Sequence, residues 1–385
     1  MGASADSMGL YVHLPFCRQR CIYCDFPTQI GSSQDLVGYL PVLDAELALY
    51  GDQPLEAMSL FFGGGTPSLL TGEQFAALMA TIRSRMTLAP GIEITLEANP
   101  GTVTAETLLA YREAGLNRLS LGAQTFNAQL LTTLNRLHGP EAIGEAIAMA
   151  RGAGLTNLNI DLIYGLPGQT MADWQDTIEQ ALALDLPHHS LYPLTVESGT
   201  PLDVLVSKGK LNPLGEDDVF AMYEWAKARL ESVGYRHYEI ANFARPGFEA
   251  QHNLVYWRNL PYIGLGMGAH SHFNGRRYGN PATLHTYTDR VLAGSKPWQE
   301  DEALSRDDEI EETVFLGLRL LDEGLDPTRF AARFGEDFGE RYAEVLAKLT
   351  ADELIHRGED GRWLLTRGAV PVAHEVFVHF MQEQD

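Results

Sequence analysis

The amino-acid sequence predicts an α/β fold built on a parallel sheet, and three observations carry that expectation. Short apolar segments recur between residues 10 and 194, with amphipathic stretches of helical period between them. Each apolar segment runs directly into polar or glycine-rich residues. The chain is 385 residues long, 45% hydrophobic and 21% charged, which supplies a large core and excludes wholesale disorder. Strands that alternate with helices in this way are βα units, and their strands lie parallel. Six units can be counted, short of the eight that close a full barrel. The pattern alone leaves an open doubly wound sheet available.

Taken in order, strands are expected over residues 10–14, 59–62, 93–96, 118–121, 157–163 and 190–194. The helices between them are expected over 36–50, 72–85, 105–114, 141–152 and 171–184. Their ends carry capping signals: Thr71 precedes the second helix, Thr104 and Thr107 start the third, and Gly154 follows the fourth. After residue 205 the alternation stops. A helix is expected over 215–233, residues 235–279 are rich in Gly, His and aromatic side chains, and 305–350 reads as helical with an acidic start at Asp307-Asp308-Glu309. Residues 354–366 read as a hairpin turning on Asp360-Gly361, a favoured two-residue turn. Helices followed by a hairpin make a winged-helix-like α+β module, a shape that often binds DNA. Residues 305–385 hold 9 basic and 19 acidic residues, however, so packing or a protein partner is the better expectation there.

The whole chain is acidic as well, with 28 Lys and Arg against 51 Asp and Glu and a net charge of −23. Such a surface repels phosphate backbones and anionic headgroups, which argues against nucleic acid and membrane surfaces as partners. No apolar run approaches the roughly 20 residues that span a bilayer. Residues 1–7 lack a basic segment followed by an apolar one, so no secretory signal and a cytoplasmic setting are expected.

The three cysteines, Cys17, Cys21 and Cys24, lie together just after the first strand. Disulfide frameworks use even numbers spread along a chain, so a metal site is the better reading, and the odd number suggests one left open. Structural zinc needs four closed ligands, with His13 the local candidate for the fourth. A cubane iron–sulfur cluster accepts three thiolates and leaves one iron exposed. In parallel α/β folds the C-terminal strand ends share one face. Here those ends lead into the cysteine loop, Gly63-Gly64-Gly65-Thr66-Pro67, Glu97-Ala98-Asn99-Pro100, Gln124, Asp161 with Gly165-Leu166-Pro167-Gly168, and Thr195, so these residues are expected to converge. Gly264-Leu265-Gly266-Met267-Gly268 lacks the context of a dinucleotide loop and reads as a close-packed strand-to-loop turn.

Cys17-Arg18-Gln19-Arg20-Cys21-Ile22-Tyr23-Cys24 resembles the signature of the radical S-adenosylmethionine superfamily, in spacing, in the strand before it and in the aromatic Tyr23. Leu10-Tyr11-Val12-His13-Leu14-Pro15-Phe16, Gly122-Ala123-Gln124-Thr125-Phe126 and Asp161 to Gln169 are similar to its coproporphyrinogen III oxidase-like branch, over nearly the whole chain. That resemblance implies a [4Fe–4S] cluster on Cys17, Cys21 and Cys24. It also implies S-adenosylmethionine held by Tyr11, Gly64, Gly65, Glu97, Gln124, Arg136 and Asp161, and cleaved to a 5′-deoxyadenosyl radical. The implied fold is an incomplete (β/α)6, TIM-like barrel over 9–204 after a tail at 1–8. A barrel extension at 205–300 and a C-terminal module at 301–385 would follow.

The branch holds a dehydrogenase that decarboxylates the propionates of coproporphyrinogen, and a chaperone that binds heme and hands it to acceptor proteins. The dehydrogenase usually has a fourth cysteine two residues after the third and a longer N-terminal arm; this chain has Phe26 there and 16 residues before Cys17. The chaperone's HNxxYW string stands at His252-Asn253-Leu254-Val255-Tyr256-Trp257. The resemblance therefore implies a heme chaperone, with the dehydrogenase as the alternative. His252, in an aromatic loop, is the expected axial ligand, Tyr256 and Trp257 would stack on the macrocycle, and Arg258 is the cation nearest in sequence for the propionates. His270 and His272 are rival ligands. Arg18 and Arg20 flank the cysteines in an otherwise acidic chain, either as ordinary loop cations or as a docking point for an acidic, flavodoxin-like electron donor.

Overall fold

The computed structural model describes residues 7–51 and 55–381. Twelve strands form one sheet. In chain order they are β1 (Ser7–Leu14), β2 (Glu56–Gly64), β3 (Thr87–Ala98), β4 (Arg118–Gln124), β5 (Asn157–Tyr164) and β6 (His188–Pro193). There follow β7 (Arg236–Glu239), β8 (Asn242–Ala244), β9 (Tyr262–Leu265), β10 (His270–Phe273), β11 (Arg276–Gly279) and β12 (Gln299–Ala303). From edge to edge the order is β12-β11-β10-β9-β1-β2-β3-β4-β5-β6-β8-β7. The central six are parallel and lie in chain order, so the six expected βα units are present and no doubly wound switch point occurs among them. On one flank β9 joins β1 in parallel, and the outer strands of both flanks are antiparallel.

Helices α1 (Ser33–Ala48), α2 (Gly72–Arg85), α3 (Ala105–Ala114), α4 (Ala128–Thr133), α5 (Glu141–Gly152) and α6 (Met171–Ala183) fill the crossovers. The expected caps act: Thr71 with Gln74 and Thr104 with Thr107 form reciprocal capping boxes, and Gly154 takes φ 85° after α5. Ser32 does the same for α1, which is why that helix starts three residues before the apolar pattern shows it.

Period-two alternation sorts the central strands into two faces. Leu10, Val12, Leu60, Phe62, Leu96, Leu119, Leu121, Ile160 and Leu162 are all 0% exposed and pack with Phe75, Leu108, Tyr111, Ile143 and Trp174 of the helices. Burial of each such side chain contributes about 1.5–3 kcal/mol. The opposite face is polar. Ser59 pairs in register with Glu93, Thr95 with Arg118, Glu97 with Ser120, Ser120 with Asn159, and Asn159 with His188.

Helices α7 (Pro201–Ser207), α8 (Glu216–Ser232), α9 (Gln251–Trp257) and α10 (Leu284–Leu292) accompany the outer strands. The C-terminal module holds α11 (Arg306–Leu318), α12 (Pro327–Phe334), α13 (Phe338–Arg341), α14 (Ala343–Ala351), the hairpin β13 (Ile355–Arg357) and β14 (Trp363–Leu365), and α15 (Ala373–Val378). It is keyed to the sheet by a bridge from Leu320 to Glu239 and by the Arg258–Glu323 and Arg277–Glu312 ion pairs. Two sequence expectations need correction. The hairpin does not turn on two residues: Gly358 N–H still bonds Arg362 O, leaving a three-residue loop with Gly361 at φ 84°. His252 lies on helix α9 and not in a loop.

Candidate functional site

The cysteine loop leaves β1 through Pro15 and is closed at its stem. Phe16–Cys17 pairs with Gln29–Ile30, and Gly31 N–H bonds Cys17 O at 2.9 Å. Its sides are pinned as well: Asn135 Nδ2 donates to Arg20 O at 2.8 Å, and Leu202 N–H of α7 bonds Ile22 O at 2.8 Å. Cys17, Cys21 and Cys24 are free thiols, partly exposed. All three line one cavity of about 450 Å³, together with Gly64, Gly65, Glu97, Gln124, Arg136 and Asp161.

Five of those six lie on or directly after the C-terminal halves of strands, and Arg136 comes from the turn after α4. Gly64 has φ 109°, and a Cβ there would meet the His13 ring at 2.6 Å; at Gly65 it would meet Phe16 O at 2.7 Å. The close approach glycine permits is thus to the end of β1 at Gly64 and to the stem of the cysteine loop at Gly65. Gly64 N–H bonds Glu97 Oε2 at 3.3 Å. Gln124 sits beyond a register shift at the end of β4 with φ 67°, a conformation costly for a residue with a Cβ and common where a side chain must be aimed. Arg136 donates to Cys21 Sγ at 3.4 Å and to Gly122 O, and Thr66 Oγ1 donates to Cys17 Sγ at 3.5 Å. Asp161 accepts from Ser120 Oγ at 3.0 Å and Asn159 Nδ2 at 2.8 Å. Burial, and next to it the Asp161 carboxylate, pushes the Glu97 carboxyl up to about 8.

Tyr11 is the exception among the expected cofactor residues. It bonds His13 Nδ1 at 3.0 Å and lines a second, larger cavity of about 1060 Å³. The two cavities share Arg20, Asp25, Phe26, Thr28, Gly64 and Glu97. Phe61, His252, Tyr256, Trp257 and Tyr262 give the larger one its aromatic wall. His252 is 1% exposed; its Nδ1 lies 2.8 Å from Ser59 Oγ and its Nε2 2.8 Å from Tyr256 Oη, while Phe61 stacks on the ring at 5.2 Å. Burial lowers its pKa to about 3, so the ring is neutral. His270 lines this cavity and His272 is not among its lining residues. Arg258 is not among them either and is held by Glu323 at 2.7 Å; the cations on the larger cavity are Arg20 and Arg277.

The residues present fit an iron–sulfur cluster. Three free thiols face one cavity, and two of them receive hydrogen bonds from Thr66 and Arg136, donors that stabilise thiolates.

Residues 11–181 match the model of the radical SAM superfamily and residues 304–372 that of the HemN C-terminal domain. The heme chaperone HemW of Bacillus subtilis is 37% identical over 378 residues, which cover 97% of this chain and 99% of that protein. The chain belongs to the HemW family of radical SAM proteins. The HemW of Escherichia coli is 41% identical over 271 residues, 68% of this chain and 69% of that one. Among solved structures, coproporphyrinogen III oxidase (HemN) from Escherichia coli superposes with a TM-score of 0.84 at 25% identity, over 97% of this chain and 90% of that one.

Within this HemW-family chain, sequence reasoning missed the polar face beneath both cavities: Ser59, Glu93, Arg118, Ser120, Asn159, His188 and Ser190. The signal was present as alternation, for instance in Asn157-Leu158-Asn159-Ile160-Asp161-Leu162, where every second residue is polar. It also missed Phe61, Tyr262 and Arg277, whose strands reach the larger cavity only through the sheet order.

Proposed function

We propose that this protein is a heme chaperone that seats heme in the larger cavity, beside a smaller one that holds a [4Fe–4S] cluster and S-adenosylmethionine, and then passes heme to acceptor proteins. The observation that carries the reading is the juxtaposition: a thiol-lined cavity and an aromatic cavity of about 1060 Å³ meet at Gly64 and Glu97. Near-full-length identity to curated heme chaperones favours delivery over decarboxylation. The 0.84 TM-score to HemN keeps the dehydrogenase as the second reading, a radical enzyme acting on porphyrinogen propionates.

Cys17, Cys21 and Cys24 would ligate the cluster, which when bound chelates S-adenosylmethionine at its open iron and supplies an electron. The backbone of Gly64 and Gly65, with Glu97, Gln124, Arg136 and Asp161, would hold the ligand's amine, carboxylate and ribose groups. Tyr11 would close it off from the larger cavity. His252 is the proposed axial ligand, a neutral ring whose Nδ1 is held by Ser59 and whose Nε2 meets Tyr256; ligation displaces that hydroxyl. Arg18 and Arg20 would receive an acidic, flavodoxin-like donor. A reducing, cytoplasmic setting belongs to the reading, since oxidation to disulfides would destroy the ligands. Among the described residues no helix is long and apolar enough to cross a membrane.

The test is a hemin titration of anaerobically reconstituted protein, followed by its Soret band, beside an assay with coproporphyrinogen III, S-adenosylmethionine and reductant. Saturable hemin binding that His252→Ala shifts or abolishes, without multiple-turnover protoporphyrinogen formation, is expected. Steady porphyrin product would replace the chaperone with the dehydrogenase.

A further inference from the structure

An unbroken hydrogen-bond chain on the polar face runs from Asp161 of the thiol cavity to the residue before helix α9, whose side chains line the larger cavity, and its donors all point one way. Ala250, the residue before α9, donates its N–H to Tyr238 Oη at 3.1 Å. Tyr238 Oη lies 2.9 Å from His188 Nε2, and His188 Nδ1 lies 2.6 Å from Asn159 Oδ1. Asn159 Nδ2 donates to Asp161 Oδ1 at 2.8 Å. Asn159 turns its amide nitrogen to Asp161, Ser120 and Ser190 and its oxygen to His188, and an amide oxygen can only accept. The imidazole is therefore the neutral Nδ1–H tautomer, and its Nε2 accepts the tyrosine O–H. Burial keeps that ring's pKa well below the ordinary histidine value, in accord with the geometry. Asn159 is 1% exposed, His188 0% and Tyr238 4%, so the path is shielded from bulk solvent.

We infer that His188 is a positioning residue: it orients Asp161 through Asn159 and ties that carboxylate through Tyr238 to helix α9, so that ligands in the two cavities strengthen each other's binding. The inference rests on the functional reading above, which puts S-adenosylmethionine against Asp161 and heme against α9. Its physical basis is shared ordering. A ligand that fixes Asp161 also fixes, through Asn159, His188 and Tyr238, the start of helix α9, so a second ligand meets groups already held in place. The same helix is tied a second time where His252 N–H meets Glu93 Oε1 at 3.2 Å, with Arg118 3.8 Å from that glutamate, so α9 sits on the sheet at two points. Coupling of this kind is reciprocal.

The experiment titrates S-adenosylmethionine into the reconstituted full-length protein by calorimetry, with and without bound hemin. Wild type is expected to bind it at least about fivefold more tightly with hemin present. Tyr238→Phe cuts only the α9 end of the chain while keeping the ring, and should bring the ratio to within about twofold of one with hemin still bound. His188→Gln should in addition weaken S-adenosylmethionine binding about tenfold in hemin-free protein. A wild-type ratio of one, linkage that persists in Tyr238→Phe, or unweakened binding in His188→Gln overturns the inference. Should His188→Gln fail to fold, the Tyr238→Phe ratio decides alone. Failure of the functional reading looks different: wild type then binds no hemin, or Asp161→Asn binds S-adenosylmethionine as well as wild type, and the inference falls with it.

Discussion

Glu97 stands where the two cavities meet, and its protonation should differ between the free protein and the loaded one. Burial first, and the neighbouring Asp161 second, raise its carboxyl to about 8, so at neutral pH it carries a proton. A ligand ammonium or sulfonium favours the ionised form, so binding at pH 7 should release that proton, and affinity should rise with pH until it levels off above about 8. Calorimetry of S-adenosylmethionine binding in two buffers of different ionisation enthalpy checks this. The enthalpies should differ for wild type and converge for Glu97→Gln; equal enthalpies for wild type would count against the assignment. At this scale the sequence was legible wherever a residue type is rare or its spacing is constrained. The three cysteines and the Gly63–Gly64–Gly65 run announce themselves, and Glu97, Gln124, Arg136 and Asp161 do gather around the thiols. Ser59, Asn159 and His188 were not legible, because a buried polar residue matters through a partner on another strand, and strand register is not written in either residue alone.

Helix α1 shows how an element is fixed to the rest of the molecule by one side chain. Glu46 is 0% exposed and accepts from Gly266 N–H at 2.7 Å, Asn280 Nδ2 at 2.6 Å and Tyr287 Oη at 2.6 Å, which joins α1 to the turn after β9, to the residue that follows β11 and to α10. Asn280 lines the larger cavity and also donates to Gly266 O at 2.9 Å, so this knot supports the cavity wall. Burial raises the Glu46 carboxyl from 4.5 to about 7. The folded protein then holds the proton more tightly than the unfolded chain. Stability from this group is full below about pH 4.5, falls as pH rises toward about 7, and is flat beyond. Glu46→Gln should remove that slope, on the order of 3 kcal/mol across the interval, read from denaturant melts at pH 5 and pH 7.5. A wild-type stability equal at both pH values, or the same slope in the variant, would contradict this. Most elements around it were legible, since helices and strands of the βα units follow period and caps. The start of β3 was not: Pro90 and Gly91 interrupt its pattern, and the strand continues across them because β2 lies alongside with a register shift. The outer strands β7 to β11 escaped because each has only three or four residues, too few to show a period.

For the whole molecule, six parallel strands converge their C-terminal ends on thiols, and strands added on the β1 flank build an aromatic cavity against them. Composition could suggest neither cavity, since their adjacency depends on β9 pairing with β1 across more than 240 residues of chain. The net charge of −23 bears on solubility and on partners, while the site keeps its own cations in Arg20, Arg136 and Arg277. The central claim is that heme occupies the larger cavity and leaves the thiol cavity to the cluster and its ligand. Asn253 of α9 lines the larger cavity and not the smaller, so Asn253→Trp fills one and spares the other. The deciding measurement is the hemin affinity of reconstituted Asn253→Trp protein, with S-adenosylmethionine affinity measured on the same hemin-free sample. The account predicts at least a tenfold loss of hemin affinity, with cluster content intact and S-adenosylmethionine binding within about twofold of wild type. Unchanged hemin affinity and an unchanged Soret band would put heme somewhere else and contradict it.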